Sequence, residues 1–168
     1  MPESALLSDE NMYELMSAPP TSSAWEDDRE THVLTIGQRS VQVITTRRDH
    51  RWIAYCVTEL NNLAELPENW DSYGALRVDQ GSLEQACKVY LTLTQNRGDD
   101  QLPYFTATPD GGIGLMWHQG DKGLEVEVDG PLLIHGHFYD DTNDDREWSD
   151  NVSLDIEFLN RYLDEVFG

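Results

Sequence analysis

Apolar residues recur at three- and four-residue spacing in three stretches of the chain, and this period predicts amphipathic helices. The first stretch follows Asp49, which is placed to cap it. The second begins near Ser82, where Ser82 and Gln85 have the spacing of a capping box, and the third opens at Ser153. The residues expected to face the core are Ile53, Cys56, Val57, Leu60, Leu63 and Ala64, then Leu83, Ala86, Cys87, Tyr90 and Leu91, then Ile156, Leu159, Leu163 and Val166.

Six further segments carry β-branched residues or alternate apolar with polar positions, as strands with one buried face do. Residues 32–36 and 41–46 flank a glycine and predict a hairpin. Glycine and aspartate at the joints between the other four predict an antiparallel meander. With a short helix at 4–16, the expected order is α-ββ-α-α-ββββ-α, an α+β fold with two or three helices packed on the sheet. The four meander strands are 102–108, 113–118, 124–128 and 132–139.

Length and composition predict one folded domain spanning residues 1–168, with residues 1–30 as a loosely attached acidic segment. The hydrophobic fraction of 39%, with 5 Trp, is too high for a disordered acidic chain. Cys56 and Cys87 fall in helical apolar patterns and are expected to be buried thiols of a reducing compartment. No run reaches the roughly 20 apolar residues of a membrane span. The expected setting is the bacterial cytoplasm.

Charge is the most unusual bulk property: 11 basic and 32 acidic residues give a formal net charge of −21. Direct binding to nucleic-acid phosphates or to an anionic membrane is therefore not expected, because such binding depends on Lys and Arg. A partner with a basic surface, or mimicry of a nucleic acid, fits this charge. Residues 31–58 reverse the sign, and their arginines are expected to pair with acidic segments of the same chain. These arginines are Arg39, Arg47, Arg48 and Arg51.

The loop at residues 66–75 carries two large aromatic side chains, Trp70 and Tyr73, three positions apart. Both are expected to anchor the loop against the sheet, with Asp71 capping its backbone and Gly74 allowing a sharp exit. The alternative is that Asp71 acts as an acid, a base or a ligand in a pocket.

A second segment, residues 109–117 (PDGGIGLMW), predicts a turn followed by a strand. Together with NWDSYGA at 69–75 it resembles a set of small uncharacterised bacterial proteins. In those proteins an N-W-D-x-Y-G-A segment precedes a helix and a P-x-D-G-G-I-x-L-x-W hairpin follows some tens of residues later. The resemblance covers residues 66–128, departs from the pattern at Met116, where a polar residue is expected, and implies a shared fold unit without an activity.

Histidines in the last meander strand offer the clearest metal-binding chemistry. His135 and His137 are two apart and so share one strand face. If residues 129–131 form a three-residue loop, Glu125 lies opposite His135 and His118 projects from the same face. Such a group could bind Zn²⁺ or another divalent ion. A register shift of one residue would scatter it, and exposed histidines paired with glutamates are the common alternative. No bound metal or other cofactor is therefore expected.

Residues 140–150 (DDTNDDREWSD) predict an acidic loop. The loop lacks the glycine at position six and the glutamate at position twelve of a calcium-binding loop, so a solvated or partner-docking role is favoured. The expected partner contacts are Asp140, Asp141, Asp144, Asp145 and Glu147.

The chain carries no nucleophile elbow, phosphate-binding loop, dinucleotide fingerprint or zinc-protease motif. Its charge and this lack of motifs favour a non-catalytic protein-interaction module over an enzyme: an accessory, immunity-like or inhibitor protein that binds a macromolecular partner. The alternative is a metal-assisted hydrolase that uses the sheet-face histidines. The sequence leaves the oligomeric state and the partner's identity open.

Overall fold

The computed structural model describes residues 30–45, 50–143, 148–151 and 156–168. The strands of this part form a hairpin and a five-stranded antiparallel sheet in the order β3-β4-β5-β6-β7. The α+β prediction is confirmed, while the expected helix at 4–16 lies outside the described residues. The elements are β1 (Glu30–Ile36), β2 (Arg39–Thr45), α1 (Arg51–Ala64), α2 (Gln80–Thr94), β3 (Tyr104–Ala107), β4 (Ile113–Gln119), β5 (Lys122–Asp129), β6 (Leu133–Asp140), β7 (Trp148–Asn151) and α3 (Ile156–Phe167).

The five-stranded sheet has one buried face, as the alternating pattern predicts. Leu115 of β4 pairs with Val126 of β5, and both are fully buried. Helices α2 and α3 pack on this face against β4 and β5. The buried stripe of α3 is confirmed at three of its four predicted positions, Leu159, Leu163 and Val166. One continuous core therefore joins the sheet to the helices.

The β1–β2 hairpin is fixed to both long helices by two amide side chains at its turn. Asn61 of α1 accepts a hydrogen bond from the backbone N–H of Gly37 at 2.8 Å. Gln80, at the start of α2, accepts from the N–H of Gln38 at 3.0 Å and donates to the carbonyl of Ile36 at 2.9 Å. Since α1 also packs against α2, the hairpin belongs to the same folded body as the sheet.

The predicted start of α2 at Ser82 is wrong. The helix begins at Gln80, and the N-cap is Asp79, whose carboxylate accepts a hydrogen bond from the N–H of Ser82 at 3.1 Å. The hydroxyl of Ser82 is buried and instead accepts from the N–H of Gly130 at 2.8 Å. Ser82 therefore joins α2 to the β5–β6 turn, because that turn leaves a backbone donor in need of a buried partner.

Two other predicted boundaries differ from the structure. The N-cap of α1 is His50, not Asp49, and Asp49 and Ser153 lie outside the described residues. Residues 140–150 are not loop throughout, because β7 begins at Trp148 and pairs with β6. An edge strand of four residues in an acidic segment has too short a pattern to predict.

The described arginines of residues 31–58 pair within the chain, but with acids outside the two acidic terminal segments. Arg39 lies 3.3 Å from Glu84, and Arg51 lies 2.8 Å from Asp99. Arg47 and Arg48 lie outside the described residues.

Both cysteine thiols, Cys56 and Cys87, are free and buried, as the apolar pattern predicts. Burial raises the pKa of the Cys56 thiol. Among the described residues no helix has the length and apolar character needed to cross a membrane.

Candidate functional site

The loop between α1 and α2 is held by hydrogen bonds within itself. One carboxylate oxygen of Asp71 accepts from the N–H of Tyr73 at 2.8 Å and from that of Ala75 at 3.0 Å. The side-chain oxygen of Asn69 accepts from the N–H of Gly74 at 2.7 Å, and the Asn69 N–H donates to the carbonyl of Ala75 at 2.7 Å. The predicted backbone-capping role of Asp71 is confirmed.

These contacts also determine the charge state of Asp71. The hydrogen bond from the Tyr73 N–H, followed by that from Ala75, lowers the pKa of the Asp71 carboxyl below its ordinary value. A carboxylate with a lowered pKa, whose oxygen is occupied by backbone donors, is a weak base. The geometry therefore favours the structural role of Asp71 over acid–base chemistry.

The same loop contains backbone strain at non-glycine positions. Asn69 has φ 61° and Ser72 has φ 66°, both in the left-handed region, and Gly74 follows with φ 99°. Asn tolerates this region better than most residues, while a position such as Ser72 costs about 1–3 kcal/mol. Surrounding interactions must hold such a conformation, and here the Asp71 and Asn69 hydrogen bonds do so.

Tyr73 is displayed to solvent by this loop. Its exposed fraction is 94%, so the predicted anchoring role is wrong for Tyr73. The loop is stabilised through its own backbone and does not need the phenol ring for support. Trp70 is half-buried, and its ring nitrogen is buried without a hydrogen-bond partner. Gly74 permits the sharp exit as predicted, through its positive φ.

Two turns of the sheet meet the loop at the N-terminal end of α2. The N–H of Leu76 donates to the carbonyl of Pro109 at 2.8 Å, and the N–H of Asp79 donates to that of Gly111 at 2.8 Å. The β5–β6 turn is joined to this end by Ser82. Besides Tyr73, exposed apolar side chains here are Leu76, 52% exposed, and Leu132, 73% exposed. We call Tyr73, Leu76 and Leu132 the loop-end surface.

The predicted histidine face exists, but its register differs from the expected one. Glu127 lies opposite His135, and Glu125 lies opposite His137. The loop comprises residues 130–132, because Asp129 extends β5 and pairs with Leu133. The shift is two residues, so the same side chains remain on the solvent face.

Tyr139, near the end of β6, lies on the same face. Its ring lies over Gly123, the residue directly opposite, where a Cβ would overlap the phenol. The ring centroid is 6.3 Å from that of His118 and 6.0 Å from that of His137. Burial, then the charges of Asp141 and Glu125, raise the pKa of Tyr139.

Among the described residues, the sheet-face side chains do not supply three metal-ligating atoms within 4.8 Å of one another. The candidate ligands His118, Glu125, His135 and His137 are thus on one face without converging. The position of a residue along a strand determines on which face of the sheet its side chain lies. Whether several such side chains can reach one metal ion also depends on their directions.

The acidic segment is described only in part. Asp140 is 8% exposed, and its carboxylate accepts hydrogen bonds from the backbone N–H and the hydroxyl of Thr142. This burial and these turn contacts argue against its predicted role as a partner contact, which stays a prediction. Asp141 is exposed, and Asp144, Asp145 and Glu147 lie outside the described residues.

A cavity of about 340 Å³ lies between the C-terminal end of α2 and α3. Arg97, in its lining, is 2.8 Å from a carboxylate oxygen of Asp164 and also donates to Asn160 and to the carbonyl of Leu93. These contacts of Arg97 join the end of α2 to α3. The polar side chains that line the cavity therefore have a structural role.

Sequence reasoning missed one group of metal-ligating side chains: Glu30, His32 and His50, whose ligand atoms lie within 4.8 Å of one another. Glu30 and His32 have the two-residue spacing of a shared strand face, which the sequence displays. His50 is 18 positions farther along, and only the docking of the hairpin on α1 brings it to them.

Comparison with known proteins adds no relative: no family model matches the chain, and neither the curated proteins nor the solved structures include a significant match.

Proposed function

We propose that the protein is a non-catalytic interaction module that binds a partner protein through the loop-end surface. One observation carries the proposal: a loop with two strained non-glycine residues holds Tyr73 at 94% exposure. Strain of this kind persists only where surrounding contacts hold it, and it clusters at functional sites.

The display of Tyr73 suits recognition energetically. Tyrosine is enriched among the residues that dominate binding free energies, since it combines a large apolar surface with a hydroxyl. Binding also costs the entropy of ordering the contacting loop. The hydrogen bonds of Asp71 and Asn69 have already ordered this backbone, so the cost on binding is small.

Charge indicates the chemistry of the partner. The net charge is −21, and exposed acids Glu65, Glu68 and Asp110 lie in or beside the loop, with Arg77 as a nearby base. A basic protein surface with an apolar pocket for Tyr73 would complement this region. An accessory, immunity-like or inhibitor protein fits the description, and nucleic-acid mimicry is a special case of it. The exposed Asp141 can add to the attraction.

Capture of partners from the native host with matched variants tests the proposal. The bait is the full chain, compared with Tyr73→Ala and with Tyr104→Ala as the control. Tyr104 is also a highly exposed tyrosine, at 71%, but it lies on the sheet's edge strand β3. We expect a set of proteins that the wild type and Tyr104→Ala recover and Tyr73→Ala loses.

Affinity measured with a recovered partner then gives the size of the effect. Loss of a central tyrosine at an interface costs 2 kcal/mol or more, roughly a thirtyfold weaker complex. Association should also weaken as NaCl rises, because attraction between surface charges is screened. Equal recovery by the wild type and Tyr73→Ala would contradict the proposal.

A further inference from the structure

Glu30, His32 and His50 meet where the hairpin docks on the first turn of α1. Glu30 opens β1, His32 lies two residues on along the same strand face, and His50 is the N-cap residue of α1. A carboxylate oxygen of Glu30 lies 3.3 Å from Nε2 of His50 and 3.6 Å from Nε2 of His32. The two imidazole rings meet edge to face, with centroids 4.9 Å apart.

The simplest explanation is an ion pair, in which Glu30 attracts one or both imidazoles. That explanation leaves two observations unexplained. Nε2 of His32 is buried and makes no hydrogen bond to any described residue, and an unpaired buried polar atom is destabilising. His50 occupies the cap position, yet its side chain makes no capping hydrogen bond. Nε2 of each ring instead lies within 3.6 Å of the same carboxylate oxygen of Glu30.

The geometry matches an ion-binding site. Two imidazole nitrogens and one carboxylate are a zinc ligand set in which the fourth position is left to water. With metal–ligand bonds of about 2.0–2.1 Å, tetrahedral ligand atoms stand roughly 3.3 Å apart. The 3.3 Å and 3.6 Å separations are close to this value.

We propose that Glu30, His32 and His50 form a binding site for a divalent transition metal of the zinc class. Imidazole and carboxylate ligands suit Zn²⁺, and a site with two imidazoles disfavours Mg²⁺ and Ca²⁺, which prefer oxygen ligands. The ion would join the first residues of β1 to the start of α1. The site is separate from the loop-end surface and does not depend on the proposed interaction function.

Titration calorimetry and thermal unfolding of the full chain test this site. The protein is first stripped with EDTA and dialysed, and the probes are ZnCl2 and, as the comparison, MgCl2. We expect one Zn²⁺ bound per chain and a melting temperature raised by roughly 5–10 °C at a hundredfold excess over Kd. MgCl2 should leave the melting temperature unchanged.

Variants assign the binding to these residues. His50→Ala changes a half-exposed side chain, so the apo variant should fold, which circular dichroism checks. Glu30→Gln keeps the shape of the side chain and removes its charge. Each should weaken Zn²⁺ binding by at least tenfold.

The matched control is His135→Ala/His137→Ala, which removes two of the chain's five histidines from the sheet face and should bind Zn²⁺ as the wild type does. The proposal is overturned if the wild type binds no Zn²⁺ at micromolar concentrations. It is also overturned if the sheet-face variant loses the ion, or if His50→Ala and Glu30→Gln both retain it.

Discussion

The side chain of Asp71 holds much of the backbone of the loop that displays Tyr73. One of its two carboxylate oxygens accepts hydrogen bonds from the N–H groups of Tyr73 and Ala75. These bonds fix the backbone directly after Ser72 and directly after Gly74. Because the charged form makes these hydrogen bonds, the pKa of Asp71 is lowered in the folded protein. An unfolded aspartate has a pKa of about 3.9. The stability that Asp71 contributes is therefore full above pH 5 and is lost as the pH falls through the lowered folded value.

Asp71→Asn should reveal this dependence. At pH 7 we expect a lower melting temperature than in the wild type, because the charged acceptor is lost. The difference should shrink as the pH falls from about 5 to 2, since a protonated Asp71 resembles the amide. Thermal unfolding followed across this range measures it.

Asp71→Ala serves as the comparison. It removes the acceptor altogether and should remain below the wild type at every pH. A difference between Asp71→Asn and the wild type that is constant from pH 7 to pH 2 would contradict the assignment.

For single residues, the sequence predicted the roles that depend on local backbone conformation. It did not predict the exposure or the contacts that depend on distant parts of the chain. The roles of Asp71 and Gly74 follow from turn chemistry, which is local. The outward position of Tyr73 was not predictable, because an aromatic residue in a loop is as compatible with anchoring as with display. The contact of His32 with His50 was not predictable either, because 18 positions of the chain separate the two residues.

Elements were predicted better than their boundaries. Alternation and helical period identified every helix and strand of the described core except β7. The start of α2 was misplaced because Ser82 and Gln85 imitate a capping box, while Asp79 caps the helix three residues earlier. The hydrogen bond to the β5–β6 turn explains the presence of Ser82, and such a contact cannot be found from local spacing.

Two substitutions on α2 separate these roles. Asp79→Ala should cost about 1 kcal/mol, the usual value for a lost N-cap. Ser82→Ala should cost about 1–3 kcal/mol, because it leaves the N–H of Gly130 without its partner. Urea unfolding of both variants measures the change in midpoint at constant slope.

Thr92→Ala is the control on the same helix. Its hydroxyl donates to the carbonyl of Lys88 at an exposed position, so its effect should stay within about 0.5 kcal/mol. If Ser82→Ala were as mild as Thr92→Ala, the hydrogen bond from the β5–β6 turn would contribute little to the stability of the contact between α2 and the sheet.

For the whole molecule, the core follows from apolar patterning and the surface is dominated by charge. The five-stranded sheet, α2 and α3 bury one continuous set of apolar side chains, and all of these elements except β7 could be predicted from period alone. The net charge of −21 acts against this compact state, because like charges repel more strongly in the folded protein than in the expanded chain. Local pairs such as Arg51 with Asp99 act in the opposite direction.

Salt should therefore stabilise the fold. Raising NaCl from 10 mM to 150 mM shortens the screening length from about 30 Å to about 8 Å, which weakens repulsion between distant charges more than attraction within close pairs. We expect the melting temperature of the metal-free protein to rise over this range at pH 7. Near the sequence pI of about 4.2 the net charge is small, so the same increase in NaCl should have a smaller effect there.

A melting temperature that falls as NaCl rises would contradict this prediction. It would mean that short-range attractions, such as those of Arg39 with Glu84 and of Arg51 with Asp99, outweigh the repulsion of the whole surface. Variants in which both charged residues of a pair are replaced by neutral ones would then lose the dependence of the melting temperature on NaCl. If repulsion dominates, the same variants keep it, because removing one positive and one negative charge leaves the net charge at −21.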